Sequence, residues 1–199
     1  MIVICSDFGI GYVYEFPPGS VFLCVVDPGV GTQRRAVILE ADGRWFVGPG
    51  NGLFDIIARR ATTARWWEIA PSDAAISNTF HGRDLFAPAA AALARDTVPG
   101  EACEAPTDAG AWPDDLLEVV YIDHYGNCMS GLRGTSISTT QTVECNGRLL
   151  RYRRTFAEGE KGEPFWYVNA NGLVEFAVNQ QRAADVMGLD IGALFRIVE

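Results

Sequence analysis

Residues 21–26 read VFLCVV, an apolar run that stops abruptly at Asp27, Pro28 and Gly29. A strand wetted on one face alternates apolar with polar residues, so an unbroken run marks a strand covered on both faces. IVIC near the start repeats the pattern. Helical segments lie between such runs. NGLFDIIARR puts Leu53, Ile56 and Ile57 on one side, and GRDLFAPAAAALARD puts Leu85, Ala89 and Leu93 on one face, with Asp84 available as its cap. AVILE and RWFVG flank ADGR and predict two strands about a tight turn, with RWWEIA as a further strand. Residues 1–100 are therefore read as an N-terminal α/β domain, a mostly parallel sheet with flanking helices.

From residue 101 to 115 the composition turns to Pro, Gly, Ala and acid, which reads as a connection. Beyond it, in residues 116–199, short strands are punctuated by Gly and Asn: LEVVYI, TVECNG, RLLRYRR, PFWYVNANG, LVEFAV and ALFRIV. That spacing suits a small C-terminal β-barrel or sandwich. At 199 residues and 48% hydrophobic, the chain can fill one large core or two small ones.

Several function classes drop out on composition. Net charge is −9, and the basic residues, all arginine except Lys161, are scattered. A nucleic-acid partner needs a concentrated positive face, so none is expected. No apolar run reaches the length of a membrane span, and MIVICSDFG lacks the basic region and cleavage pattern of a secretion signal. A soluble, cytoplasmic protein is expected. The five cysteines never occur as CxxC, and His81 and His124 are far apart, so no metal site is expected.

Five short constellations carry chemistry. Asp27 stands where a strand ends, Gly29 and Gly31 follow, and Arg34 returns seven residues later, placed to fold back on the carboxylate. A turn with an ordinary ion pair accounts for the same residues. FVGPGNGLF sets Gly48, Gly50 and Gly52 before a helix, with Asn51 as a structural cap. His81 precedes the alanine-rich helix, where it either relays a proton or bonds to backbone. In YIDHYGN, Asp123, Tyr125 and Asn127 offer a carboxylate, an aromatic face and an amide, or simply a β-turn. Asp7, in CSDFG, ends another strand and is suited to two sugar hydroxyls or to an Asx-turn.

Read in order, SDFG, VVDPGVGTQRR, FVGPGNGLF, TFHGRDLFAPAAAALA, IDHYGN and VNANGLVEFAVN resemble the S-adenosyl-L-methionine hydroxide adenosyltransferase family. The resemblance covers both domains. It implies hydrolysis of S-adenosylmethionine to adenosine and methionine with no cofactor, on an α/β domain plus a β-barrel. It also implies a homotrimer with sites between subunits. The family's catalytic aspartate, arginine and histidine fall on Asp27, Arg34 and His81. The related fluorinase and chlorinase do not keep this trio, so its presence favours water over halide. Asp7 matches the ribose-holding carboxylate. Asp123, Tyr125 and Asn127 match positions around the methionine and adenine ends, and Asn169 and Asn179 lie in the segment contributing to those pockets. One departure stands out: the family has a further strand and helices between the DFG strand and the strand ending in Asp-Pro-Gly, and here the two are joined almost directly. If that piece is deleted, a binding-only relative is the rival from another class, and halide-driven cleavage is the second enzymatic rival.

Overall fold

The computed structural model describes residues 2–6, 16–70, 76–107 and 113–198. Asp7 and most of the short join between the DFG segment and the Asp-Pro-Gly strand lie outside the described residues. The chain divides into two compact units, Met1–Trp112 and Pro113–Glu199.

Among the described residues, the first unit is built on six strands: β1 (Ile2–Ser6), β2 (Val21–Val25), β3 (Ala36–Ala41), β4 (Arg44–Pro49), β5 (Ala64–Ile69) and β6 (Gly100–Cys103). They lie in the order β1-β2-β4-β3-β5-β6. The sheet is mixed, not mostly parallel as expected. β2 runs parallel to β1 and β4, while the β4–β3, β3–β5 and β5–β6 pairs are antiparallel. The reason is local. Asp42 and Gly43 both take positive φ, 47° and 76°, in a two-residue turn that must return the chain antiparallel. An apolar run reports burial on both faces and carries no information on strand direction.

Double burial itself is seen in β2. Phe22 and Cys24 join one core cluster with Phe46, Trp66 and two residues at the start of α1 (Asp55–Arg60), Phe54 and Ile57. Val21 and Leu23 join another with Ile38, Val47 and Ile69, closed by Phe86, Ala89, Ala90 and Leu93 of α2 (Ala87–Leu93) and its lead-in. Residues 101–103, read from composition as connection, instead belong to the edge strand β6, Gly100–Cys103.

The second unit is a seven-stranded sheet: β7 (Leu116–Ile122), β8 (Cys128–Arg133), β9 (Thr142–Cys145), β10 (Arg148–Tyr152), β11 (Pro164–Val168), β12 (Leu173–Val178) and β13 (Phe195–Val198). The order β13-β9-β10-β11-β12-β8-β7 curls until its ends meet. The Val119 amide donates to the Ala193 carbonyl at 2.9 Å, and the Gly192 amide to the Val119 carbonyl at 2.7 Å. The result is a nearly closed barrel. Alternate residues of β8 point inward, and Trp166, Phe176, Leu150 and Val143 fill the interior beside α3 (Ala183–Met187). No helix among the described residues is long and apolar enough to cross a membrane.

Candidate active site

Arg34 folds back on Asp27. Its Nε donates to Asp27 Oδ1 at 2.7 Å and its Nη2 to Oδ2, a bidentate pair. Both side chains are largely buried, at 10% and 5% exposure, so the pair is shielded from the water that weakens surface ion pairs. The same Nη2 lies 3.1 Å from His81 Nδ1. A guanidinium has no acceptor, so Nδ1 must accept, and this network assigns the proton of the neutral imidazole to Nε2. Nη1 donates to the Arg35 carbonyl at 3.0 Å.

Local structure explains why these groups meet. The Val30 amide donates to the Asp27 carbonyl and the Thr32 amide to the Gly29 carbonyl, so the chain after β2 coils tightly and returns Arg34 to Asp27. Asn51 Nδ2 donates to the Val26 carbonyl at 3.0 Å, holding the end of that strand, while its Oδ1 accepts from the Leu53 amide. Asn51 therefore braces the Asp27 loop as well as the turn before α1. Gly31 has φ +79°, and a Cβ there would sit 2.5 Å from the Asn78 carbonyl oxygen. Only glycine lets this loop lie against the segment that delivers His81. Asp84, expected as a helix cap, instead accepts from the Ser77 amide at 3.0 Å and pairs with Arg83. The Arg83 bond, with the Ser77 amide, holds its carboxyl down at about 2.

In the second unit, Asp123, Tyr125 and Asn127 line a cavity of about 540 Å³ together with Phe156, Tyr167, Glu175 and Arg182. Asp123 accepts from the Asn127 amide at 2.8 Å and from its Nδ2 at 3.0 Å, so carboxylate and side-chain amide hold each other. Gly126 between them has φ +84°, and a Cβ would meet the Arg182 Cβ at 2.6 Å. Tyr125 is 75% exposed, its ring edge-on to His124. Asn169 and Asn179 are not among the lining residues. Asn169 donates to Glu175 at 2.7 Å and accepts from the Asn171 and Leu173 amides, one layer behind the cavity. Asn179 donates to the Gly159 carbonyl at 2.9 Å.

Glu175 escaped the sequence reading. It is buried, accepts from the Tyr167 hydroxyl and from Asn169, and faces the cavity. Burial, with the Glu175 bond, pushes the Tyr167 phenol well above its usual value. The available signal was a lone carboxylate inside the apolar strand LVEFAV. Among the described residues, no group of three or more His, Cys, Asp or Glu is arranged to hold a metal ion.

Comparison with known proteins gives a consistent result. Residues 10–103 match the model for the SAM hydroxide adenosyltransferase N-terminal domain, and residues 117–196 match its C-terminal domain. The chain is 41% identical over 200 residues to an (R)-S-adenosyl-L-methionine hydrolase of Thermus thermophilus, covering 92% of this chain and 77% of the relative. A protein of the same name from Salinispora tropica is 37% identical over 202 residues, covering 90% and 75%. The crystal structure of an uncharacterized conserved protein from Thermotoga maritima superposes with a TM-score of 0.83 at 27% identity, covering 94% of this chain and 80% of that one.

Proposed function

The chain belongs to the SAM hydroxide adenosyltransferase family, and on that premise we propose that it hydrolyses S-adenosyl-L-methionine to adenosine and L-methionine. The observation that carries the reading is the Asp27–Arg34–His81 cluster, whose ion pair is largely buried.

The chemistry asks little acid of the protein. Water oxygen bonds to C5′ as the C5′–S bond breaks. The electron pair goes to sulfur, which changes from a sulfonium to a neutral thioether. No leaving group needs a proton, so the task is to orient water in line with the C5′–S bond and to take its proton. Asp27 retains acceptor capacity beyond its two bonds to Arg34, receives the proton and passes it to solvent. Arg34 holds the Asp27 carboxylate in register and stabilises the developing hydroxide. His81, accepting through Nδ1, orients the guanidinium. Asp7 is assigned to the ribose hydroxyls. Asp123, Tyr125 and Asn127, with Asn169 and Asn179 behind them, are assigned to the adenine and methionine ends; the cavity beside Asp123 supports this.

The same reading carries a homotrimer with sites between subunits, supported by the exposed Leu149, Ile191 and Leu194. It also carries a cytoplasmic location, supported by free thiols at Cys103, Cys128 and Cys145. Light scattering that returns a monomer would remove the trimer.

The test is incubation with the separated sulfonium epimers of S-adenosylmethionine in halide-free buffer containing EDTA, with products followed by chromatography and mass detection. The relatives' name specifies the R epimer, and adenosine plus methionine from that epimer, undiminished by chelation, is the expected result. Tight binding without turnover would replace hydrolysis by a binding role. Chlorinated adenosine formed only when chloride is added would replace water by halide.

A further inference from the structure

We propose that Phe86, set beside His81 by a single π-helical turn, is a positioning residue for Arg34, holding the face of the guanidinium while Asp27 and His81 hold its edge. The proposal rests on the catalytic reading of Asp27, Arg34 and His81 given above.

The backbone of Gly82–Phe86 is π-helical, and the Ala87 amide donates to the Gly82 carbonyl five residues back before α2 begins. In an α-helix, at about 100° per residue, side chains five apart point about 140° away from each other. The wider i→i+5 turn returns them to nearly one side. His81 and Phe86 are such a pair. Their ring centroids lie 6.5 Å apart at 85°, edge to face. Arg34 meets both: Nη2 reaches His81 Nδ1 at 3.1 Å, and the guanidinium carbon stands 5.1 Å from the Phe86 ring centroid.

Among the described residues, the polar contacts of the Arg34 side chain run to Asp27, His81 and the Arg35 carbonyl. A guanidinium directs its N–H bonds in its own plane, so these partners fix position within that plane and resist tilt weakly. A ring against the face supplies the missing restraint through cation–π attraction and contact. Phe86 is fully buried, packed among Val21, Leu23, Ile38 and Val47, so it is itself immobile. π-Turns are rare and cluster at functional sites; here the turn has an identifiable job, because an ordinary helical turn would send Phe86 away from His81 and Arg34.

The experiment compares Phe86→Leu and Phe86→Met with Phe46→Leu, which removes an equally buried ring from the other core of the same unit. We expect kcat to fall ~10- to 100-fold in both Phe86 variants, with KM changed by less than about twofold. Phe46→Leu should lose stability yet keep kcat. In the wild-type protein, NMR should show Arg34 side-chain protons shifted upfield by the Phe86 ring, assigned by their loss in Arg34→Lys. In Phe86→Leu that shift should vanish and Arg34 Nε–H should exchange faster. A folded Phe86 variant with unchanged kcat, or a kcat loss matched in Phe46→Leu, overturns the proposal. So do unshifted Arg34 protons in the wild type, a result that does not depend on any Phe86 variant folding. If the wild type turns over no substrate, the catalytic reading fails, while the NMR arm still decides whether Phe86 holds Arg34.

Discussion

Arg34 donates in three directions, twice to Asp27, once to His81 and once to backbone, while its guanidinium carbon stands 5.1 Å from the Phe86 ring centroid. A lysine at that position keeps the charge and loses the planar fork, so Arg34→Lys should cost about 100-fold in kcat. Asp27→Asn keeps the shape and loses the base, and kcat should fall by roughly 10²–10⁴. Both are read from initial rates of adenosine release; full turnover in Asp27→Asn removes the aspartate from the chemistry. At this scale the sequence was informative in part. The seven-residue spacing of Asp27 and Arg34 around two glycines was enough to anticipate a fold-back ion pair. His81 lies 47 residues beyond Arg34, and nothing local ties the two together. Glu175 was visible only as a charge in an apolar strand, and its bonds to Tyr167 and Asn169 depend on the pairing of β11 with β12.

Among elements, the loop after β2 matters most, and two of its supports can be tested. Gly31→Ala places a Cβ at positive φ and into the Asn78 carbonyl, and should cost about 1–3 kcal/mol. Because that contact sets the Asp27 loop against the segment bearing His81, kcat should drop with it, and urea melts run beside rate measurements separate the two losses. Asn51→Ala removes the bond to the Val26 carbonyl and should cost about 1 kcal/mol by the same melts. Element by element, the apolar runs and the Asp42–Gly43 turn were legible because each is decided within a few residues. The strands β6 (GEAC) and β8 (CMSGLR) were not, since their composition has little strand preference and they exist because β5, β7 and β12 offer them partners. The five-residue helix α3 is too short to show a period. The π-turn leaves no mark in composition at all.

On the scale of the whole molecule, each unit is stabilised by its own core, and the barrel unit also carries an ionic clasp. Asp115 accepts from the Arg133 amide and from its Nε and Nη2 at 2.6–2.9 Å, and from the Ser136 hydroxyl at 2.9 Å. The Arg133 guanidinium holds this carboxyl well below the usual carboxylate range. A carboxyl depressed on folding stabilises above its unfolded value of about 4 and loses that contribution as pH falls toward its folded value. Asp115→Asn should therefore lower stability by about 1 kcal/mol at neutral pH, the partly exposed ion pair being screened. The gap in melting temperature from wild type should hold from pH 8 to about 5 and narrow progressively below about 4. A gap that does not narrow at all between pH 5 and pH 2.5 would make the loss one of packing.

Taken alone, the sequence determined that strands would be buried on both faces in the first half, that short strands would fill the second, where the tight turns would fall, and that a carboxylate and a guanidinium were placed to meet after residue 26. These properties depend on neighbours a few residues away, and local periodicity and turn chemistry encode them directly. Tertiary structure decided that the first sheet is mixed, that His81 and Phe86 both reach Arg34, and that Glu175 faces the cavity beside Asp123. Such pairings join residues tens of positions apart, and they are settled only when strand order and core packing have chosen among the many contacts that composition allows.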